Sequence, residues 1–411
     1  MHILFLTHYF PPEVNAPASR TFENAKRWTA SGHKVTVLTC APNHPNGILY
    51  PGYENRLFTF ETMERIRILR VKTYLSANSG FLRRILNYIS YMVSAILFCR
   101  MVKHPDIVVS TSPQFFCGMA GYFVSILHRC PWVLEIRDLW PESIVAVGAI
   151  KNRHVISLLE KIESFLYKKS DHIVSVTQSF KKHISNRDIP EERISVLTNG
   201  ADTDYFIPSR NKTELLHELS LDGKFIVSYI GTHGMAHGLD TLLDAAILLR
   251  NHSDIHFMLI GSGSEREKLL KKMAGEKLVN VSMLPQQPKD KVKDFITISG
   301  ACIVHLKKKD LFKTVIPSKI FEAMAMERPI ILGVEGESKD IIQNAGCGLC
   351  IEPENARQLS EAIMYLKEHP DEAAGLGKNG KKAVIEKYSR ESISVAYAKL
   401  LSGIACTPTA R

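Results

Sequence analysis

Short apolar runs alternate with longer stretches of helical period along most of this chain. HILFLT, residues 2–7, opens it as such a run; a polar loop follows, and residues 20–33 read as a helix that Gly32 ends before the next run at 34–40. Further strands are expected at 66–73, 105–112, 132–138, 172–177 and 194–200. The pattern then restarts, with strands at 224–231, 255–263, 279–285, 301–306, 329–334 and 348–353 and helices such as 239–250 and 264–274 between them. Strands that are almost wholly apolar and separated by helices predict parallel sheets covered on both faces. Between the two series lies TNGADTDYFIPSRN, residues 198–211, a turn-rich linker. The fold class expected is α/β, two doubly wound domains facing a central cleft, with ligands at the carboxyl ends of the strands.

Length agrees with that division, since 411 residues exceed what one core usually serves. The expected parts are residues 1–205, residues 206–385, and a C-terminal helix in 386–411 that packs back on the first domain. With 45% hydrophobic and 23% charged residues the composition is ordinary globular and excludes a disordered chain. The net charge of +10 is uneven: residues 1–208 carry 24 Lys and Arg against 17 Asp and Glu, and residues 209–411 carry 28 against 25. A basic first half points to an anionic partner, phosphate or membrane surface, and no nucleic-acid motif accompanies it. MHILFLTHYF has no basic leader and soon meets Pro11-Pro12, so a secretory signal is not expected and a cytoplasmic location is. The lone C-x-x-C pair, Cys347 and Cys350, reads as small buried side chains rather than zinc ligands.

One segment departs from the alternation. Residues 85–99 are uncharged and flanked by Arg83, Arg84, Arg100 and Lys103. A spanning helix needs about 20 apolar residues, so this run is too short. Two readings stand: a buried core helix, or an interfacial helix whose basic margin, Arg83, Arg84, Arg100 and Lys103, meets anionic lipid.

Candidate chemistry sits where strands hand over to helices. PSKIFEAMAMERPII begins a helix at Ser318, but the acid of a capping box would stand at Phe321, so Glu322 needs another reason. Lys319 and Glu322 are three apart and share a helix face, beside the free N–H groups of the helix start. That pairing suits a ligand with a phosphate and a hydroxylated ring. YIGTHGMAHGLD places Gly231, His233, Gly234 and Gly238 between strand and helix, where backbone N–H groups can approach an anion. LIGSGSER, with Gly261 and Gly263, carries Arg266 where a dinucleotide fingerprint needs its third glycine, which argues against a nicotinamide enzyme. RDLWPES puts Arg137, Asp138 and Glu142 after a strand, as acid–base or hydroxyl-gripping groups or as a structural ion pair. THYFPPEVNAPASR, with His8, Glu13 and Arg20, is a lid or an irregular connection.

Taken in order, SGHKVTVLT, TNGADTDYF, the glycine turn, PSKIFEAMAMERPII and AGCGLCIEPEN resemble a retaining family 4 glycosyltransferase of the GT-B fold, with two Rossmann-like domains. HYFPPE, RDLWPES and PSKIFEAMA resemble bacterial transferases of surface-polysaccharide assembly, and among these the O-antigen L-fucosamine transferases. The resemblance implies that Glu322 accepts hydrogen bonds from a nucleotide ribose, that Lys319 with Ser318 meets the diphosphate, and that Gly231, His233 and Gly234 lie beneath it. It implies catalytic positioning by Asp138 and Arg137, and acceptor or lid roles for His8, Glu13, Arg20 and Glu142. The partners implied are a nucleotide diphosphate sugar, with uridine as the base, an undecaprenyl diphosphate-linked saccharide and the anionic inner face of the cell membrane. No cofactor is implied, and no metal: the one D-x-D, Asp202 and Asp204, falls in the linker. Several family positions differ. Thr314 stands for an acid, Pro317 for a glycine, Thr232 and His237 for two cations, and Asn15-Ala16 for paired glycines. An epimerase and a silent nucleotide-sugar-binding subunit are the competing activities.

Overall fold

The computed structural model describes residues 1–76, 81–112, 115–146, 148, 150, 152–209 and 212–406. It divides into two compact units, residues 1–198 with 391–411, and residues 199–390. The crossings thus fall a few residues from the expected 205 and 385. Ala201 and Ser389, both in the second unit, form an isolated parallel bridge. Arg210 and Asn211 of the expected linker lie outside the described residues.

Unit 1 holds β1 (His2–Leu6), β2 (Lys34–Cys40), β3 (Phe58–Met63), β4 (Ile66–Val71), β5 (Ile107–Thr111), β6 (Trp132–Ile136), β7 (His172–Ser175) and β8 (Ile194–Val196). They form one sheet in the order β3-β4-β2-β1-β5-β6-β7-β8. All pairings are parallel except β3 with β4. β3 is the strand that the apolar pattern does not announce. FTFETM alternates in exposure along an edge, as a half-solvated antiparallel strand does.

The first helix runs Ala16–Ala30, not from residue 20, because Asn15 caps it: its side-chain oxygen accepts from the Ala18 N–H at 2.9 Å, with Pro17 in the first turn. The C-terminal helix Arg390–Ala405 belongs, from Glu391 on, to unit 1 for a packing reason. Tyr397, Ala398 and Leu401 enter the core of Ile3, Phe5, Trp28 and Val109, and the Trp28 indole donates to the Ser394 carbonyl at 3.1 Å.

The uncharged segment is a helix, Phe81–Phe98. Asn87, Tyr88, Tyr91 and Ala95 face inward, and the Tyr91 hydroxyl donates to the Leu38 carbonyl at 2.8 Å. Leu86, Val93 and Leu97 are exposed on the other side, Leu97 by 69%. The helix is apolar on its packed and its open face alike, which is why periodicity alone left both readings standing.

Unit 2 holds β9 (Phe225–Ile230), β10 (Ile255–Ile260), β11 (Val281–Leu284), β12 (Ala301–His305), β13 (Ile330–Gly333) and β14 (Gly348–Cys350), all parallel in the order β11-β10-β9-β12-β13-β14. The order reverses between β9 and β12. The crevice at the carboxyl ends of those two strands is therefore where a ligand of this unit is expected.

Candidate active site

Lys319 occupies that crevice. It is the first residue of the helix Lys319–Ala325, which follows β12 after the connection 306–318 with its 3-10 helix Asp310–Thr314, and Ser318 precedes it without a side-chain cap bond. Its Nζ lies 3.8 Å from the centroid of the Tyr229 ring, over the π face. It reaches there because Gly231 has no side chain: a Cβ on Gly231 would sit 2.7 Å from Nζ. The nitrogen is shielded from solvent and has no hydrogen-bond partner among the described residues. Burial pulls the ammonium pKa down to about 7, with the Glu322 carboxylate, three residues on, opposing the shift.

The imidazoles around this cation are neutral. His233 is fully buried with neither ring nitrogen hydrogen-bonded among the described residues, and burial, then Arg266 and Lys319, push its pKa down to about 4. His237 is pushed to about 3 by burial and then by Lys319. His305 accepts the Glu354 N–H at Nε2 (2.9 Å), so its Nδ1 carries the proton and donates to the His237 carbonyl at 2.7 Å. An ammonium on an aromatic face, with neutral imidazoles beside it and no acid bonded to it, is poised for an anion.

Two glycine turns build the floor. Gly231 donates to the Ile260 carbonyl and His233 to that of Ser262, both at 2.9 Å, which ties the loop after β9 to the loop after β10. The contact leaves no room for side chains: a Cβ on Gly261 would lie 1.8 Å from the Gly231 oxygen. The Tyr229 hydroxyl donates to the Thr232 carbonyl at 2.9 Å and holds the ring beneath Lys319. Tyr229 and His305 are the members of this site that sequence reasoning missed, because a tyrosine and a histidine inside apolar strands read as core. Thr314, which stands for the family acid, donates its hydroxyl to the Leu311 carbonyl at 2.6 Å.

The residues singled out in unit 1 do not gather in one constellation. Asp138 accepts from the Ser143 hydroxyl at 3.0 Å, and burial pushes its pKa up to about 6 against the bonds from Ser143 and the Leu139 backbone. Arg137 donates from Nη2 to the Ala16 carbonyl at 3.4 Å. Glu142 pairs with Arg187 at 2.8 Å and faces His183 at 3.3 Å. Arg20 pairs with buried Glu135 at 3.0 Å and donates to the carbonyls of Leu197 and Thr198. Glu13 accepts three backbone N–H groups, from Phe10, Asn43 and His44. Arg20 and Glu13, expected at an acceptor or lid, are engaged here with strand ends and loops. His8 is buried among the rings of Tyr9, Tyr88 and Tyr91.

Two α/β units of largely parallel strands are the fold of the GT-B glycosyltransferases, and an anion-seeking crevice at the switch point of the second fits that class. Residues 15–200 match the family model described as glycosyl transferase 4-like domain, and residues 211–383 that described as glycosyl transferases group 1. The chain belongs to the family 4 glycosyltransferases of GT-B fold. It is 24% identical over 88% of its length, and 91% of the relative's, to the Escherichia coli (strain K12) protein WcaI, whose name assigns it to colanic acid biosynthesis. It is also 24% identical over 71% of its length, and 75% of the relative's, to the capsular polysaccharide biosynthesis glycosyltransferase CapM of Staphylococcus aureus. Among solved structures, Anabaena Alr3699/HepE in complex with UDP and glucose superposes with a TM-score of 0.74 at 15% identity, covering 97% of this chain and 99% of that one.

Proposed function

We propose that this glycosyltransferase moves a sugar, N-acetyl-L-fucosamine being the candidate, from a UDP-linked donor to a lipid-linked saccharide in O-antigen or surface-polysaccharide synthesis, with retention at the anomeric carbon. The shielded, unbonded Lys319 ammonium carries this reading. Breaking the bond between sugar and diphosphate puts negative charge on the leaving oxygen, and a preorganised cation aimed at that charge is commonly the largest catalytic contribution. Lys319, the N–H groups at Ser318 and the Gly231 turn would hold the diphosphate, with Gly234 and His233 beneath it and Glu322 on the ribose. In a front-side displacement the leaving phosphate oxygen takes the acceptor proton, which leaves Asp138 and Arg137 to position acceptor or sugar. The relation to HepE, a protein that binds UDP, supports the choice of nucleotide.

Nucleotide release is the test. Release from the UDP-sugar should require a lipid-linked saccharide acceptor and survive chelation of divalent ions. Donor conversion without acceptor would identify an epimerase, donor binding with no turnover a silent subunit, and strict dependence on added metal would overturn the Lys319-centred chemistry.

The open face of the helix Phe81–Phe98 supports an acceptor held at a membrane. Leu86, Val93 and Leu97 are exposed there, and Phe58 on β3 packs 5.4 Å from Phe98. Arg83, Arg100 and Lys103 are exposed at its margins. No described helix is long and apolar enough to cross a membrane. Peripheral attachment to the inner membrane face is the proposal. Flotation with anionic vesicles should be lost when Arg83, Arg100 and Lys103 are changed to Gln together, since each basic group near such a surface contributes about 1 kcal/mol. Equal flotation of the triple variant would remove the membrane from the proposal.

A further inference from the structure

Arg83 and Arg84 are neighbours in sequence, but a helix turns them about 100° apart, and only one of them reaches solvent freely. Arg83 is exposed, in line with Leu86, Val93 and Leu97. Arg84 lies on the inward line with Asn87, Tyr88 and Tyr91, at the spacings of one helix face. There it lines a cavity of about 20 Å³ with His8, Tyr9, Asn43, His44, Ser76 and Tyr88. The position of Arg84 therefore corrects its grouping with the lipid-facing cations.

This cavity has the same signature as the Lys319 crevice. The Arg84 Nε is shielded and has no hydrogen-bond partner among the described residues, and Nη2 makes a single long contact, 3.4 Å, to the Tyr88 hydroxyl. No carboxylate lines the cavity, and Glu13, in the same loop as His8 and Tyr9, is taken by the backbone N–H groups of Phe10, Asn43 and His44. His8, 3% exposed, has an Nδ1 with no partner among the described residues. Burial pushes its pKa down to about 3. Burial and the Arg84 charge also hold His44 below its usual value. The lining thus offers one permanent cation and neutral donors, with no available carboxylate. A shielded guanidinium N–H left without an acceptor, as the Arg84 Nε is among the described residues, favours an anionic oxygen over a hydroxyl, because a charge-assisted bond is about twice as strong as a neutral one. A space of this size admits one heavy atom, not a sugar ring.

We propose that His8, His44, Arg84 and Tyr88 form an anion site in unit 1 that captures a phosphoryl oxygen of the acceptor. It rests on the reading that the acceptor carries a phosphate and binds unit 1. Arg84 then does a different task from Arg83: one binds the headgroup of a single molecule, the other the charge of a surface.

The test uses the full chain in a Lys319→Met background, so that the donor crevice contributes nothing, with farnesyl diphosphate and inorganic pyrophosphate as probes in calorimetry. Arg84→Gln should weaken farnesyl diphosphate at least about tenfold, the loss of one charge-assisted contact, while Arg83→Gln stays within about twofold. Arg84→Lys should restore part of the affinity. Flotation on anionic vesicles should show the reverse order, with Arg83→Gln the weaker binder. Pyrophosphate competing at the same concentration would place the whole recognition in the diphosphate; a much weaker pyrophosphate would add a prenyl contribution to the same site. Equal effects of Arg83→Gln and Arg84→Gln in both assays, or no binding of either probe to the parent, would overturn the site. Donor binding that survives Lys319→Met would instead count against the donor reading, and the two failures are separable.

Discussion

Lys319→Met should stabilise the unliganded protein and abolish donor binding. The ammonium is shielded, without a hydrogen-bond partner among the described residues, and its pKa is lowered to about 7 by burial. An ordinary lysine titrates near 10.4, so between these values the unfolded chain binds more protons than the folded one, and stability rises with pH across that window. Below pH about 7 the cost of the buried charge is felt in full. Removing it at neutral pH should gain on the order of 2–4 kcal/mol in urea unfolding, and the rise of stability above neutrality should disappear. Binding has the opposite sign. An anion needs the protonated form, so donor affinity should be greatest below pH about 7 and fall above it, as Lys319 gives up its proton. Tyr229, His233, His237, Arg266 and Glu322 are the groups whose charge or ring bears on this titration. His233 and His237, pushed to about 4 and 3, stay neutral throughout that range. The variant should bind a UDP-sugar at least about 100-fold more weakly, the scale of losing a charge from a desolvated ion pair. Calorimetry of the parent and the variant across neutral pH settles the point: a variant that is less stable and binds normally would show Lys319 to be a packing residue.

The second large effect is expected from Gly261→Ala. The residue has φ +153°, a conformation that costs a side chain strain, and its Cβ would lie 1.8 Å from the Gly231 oxygen. That oxygen cannot retreat easily, because the Gly231 N–H is bonded to the Ile260 carbonyl at 2.9 Å. A backbone clash combined with an unfavourable dihedral should cost about 3 kcal/mol or more. Donor affinity should fall with it, since Gly231 forms the slot for the Lys319 Nζ. Gly275→Ala is the control: nothing lies within 4 Å of its Cβ and it closes the helix Arg266–Gly275, so Ala should be neutral or favourable by up to about 1 kcal/mol. Equal urea midpoints for the two variants would refute the tight contact between the loops.

The central parallel strands were legible because β1, β5, β6, β10, β12 and β13 are buried along their whole length and read as largely apolar runs. β3 was not, since its edge position leaves Phe58 and Phe60 partly open and gives FTFETM the look of a loop. The start of the first helix was hidden in NAPASR, where Asn15 and Pro17 are cap signals that also suit a turn. LIGSGSER was rightly separated from the dinucleotide fingerprint, but the reason for its glycines lies in another loop, thirty residues earlier in the chain, pressed against it. The partners of Glu13 and Arg20 are hidden from the sequence on similar grounds. Glu13 lies in the loop after β1 and Arg20 in the helix that follows it, and their partners, at 43–44 and at 135 and 197–198, are far along the chain.

What the sequence determined by itself is local. Two series of parallel strands, the punctuation between them, and a helix start carrying Lys319 and Glu322 on one face all follow from periodicity and spacing within a few turns. Tertiary structure decided which charges are satisfied. Glu13 and Arg20 are bonded to partners far along the chain, whereas Lys319 rests on the Tyr229 ring and Arg84 borders a small cavity with its Nε unpaired among the described residues. Pairing and desolvation depend on distance through space, and residues adjacent in sequence, as Arg83 and Arg84 show, can be turned to different surroundings by the helix that carries them both.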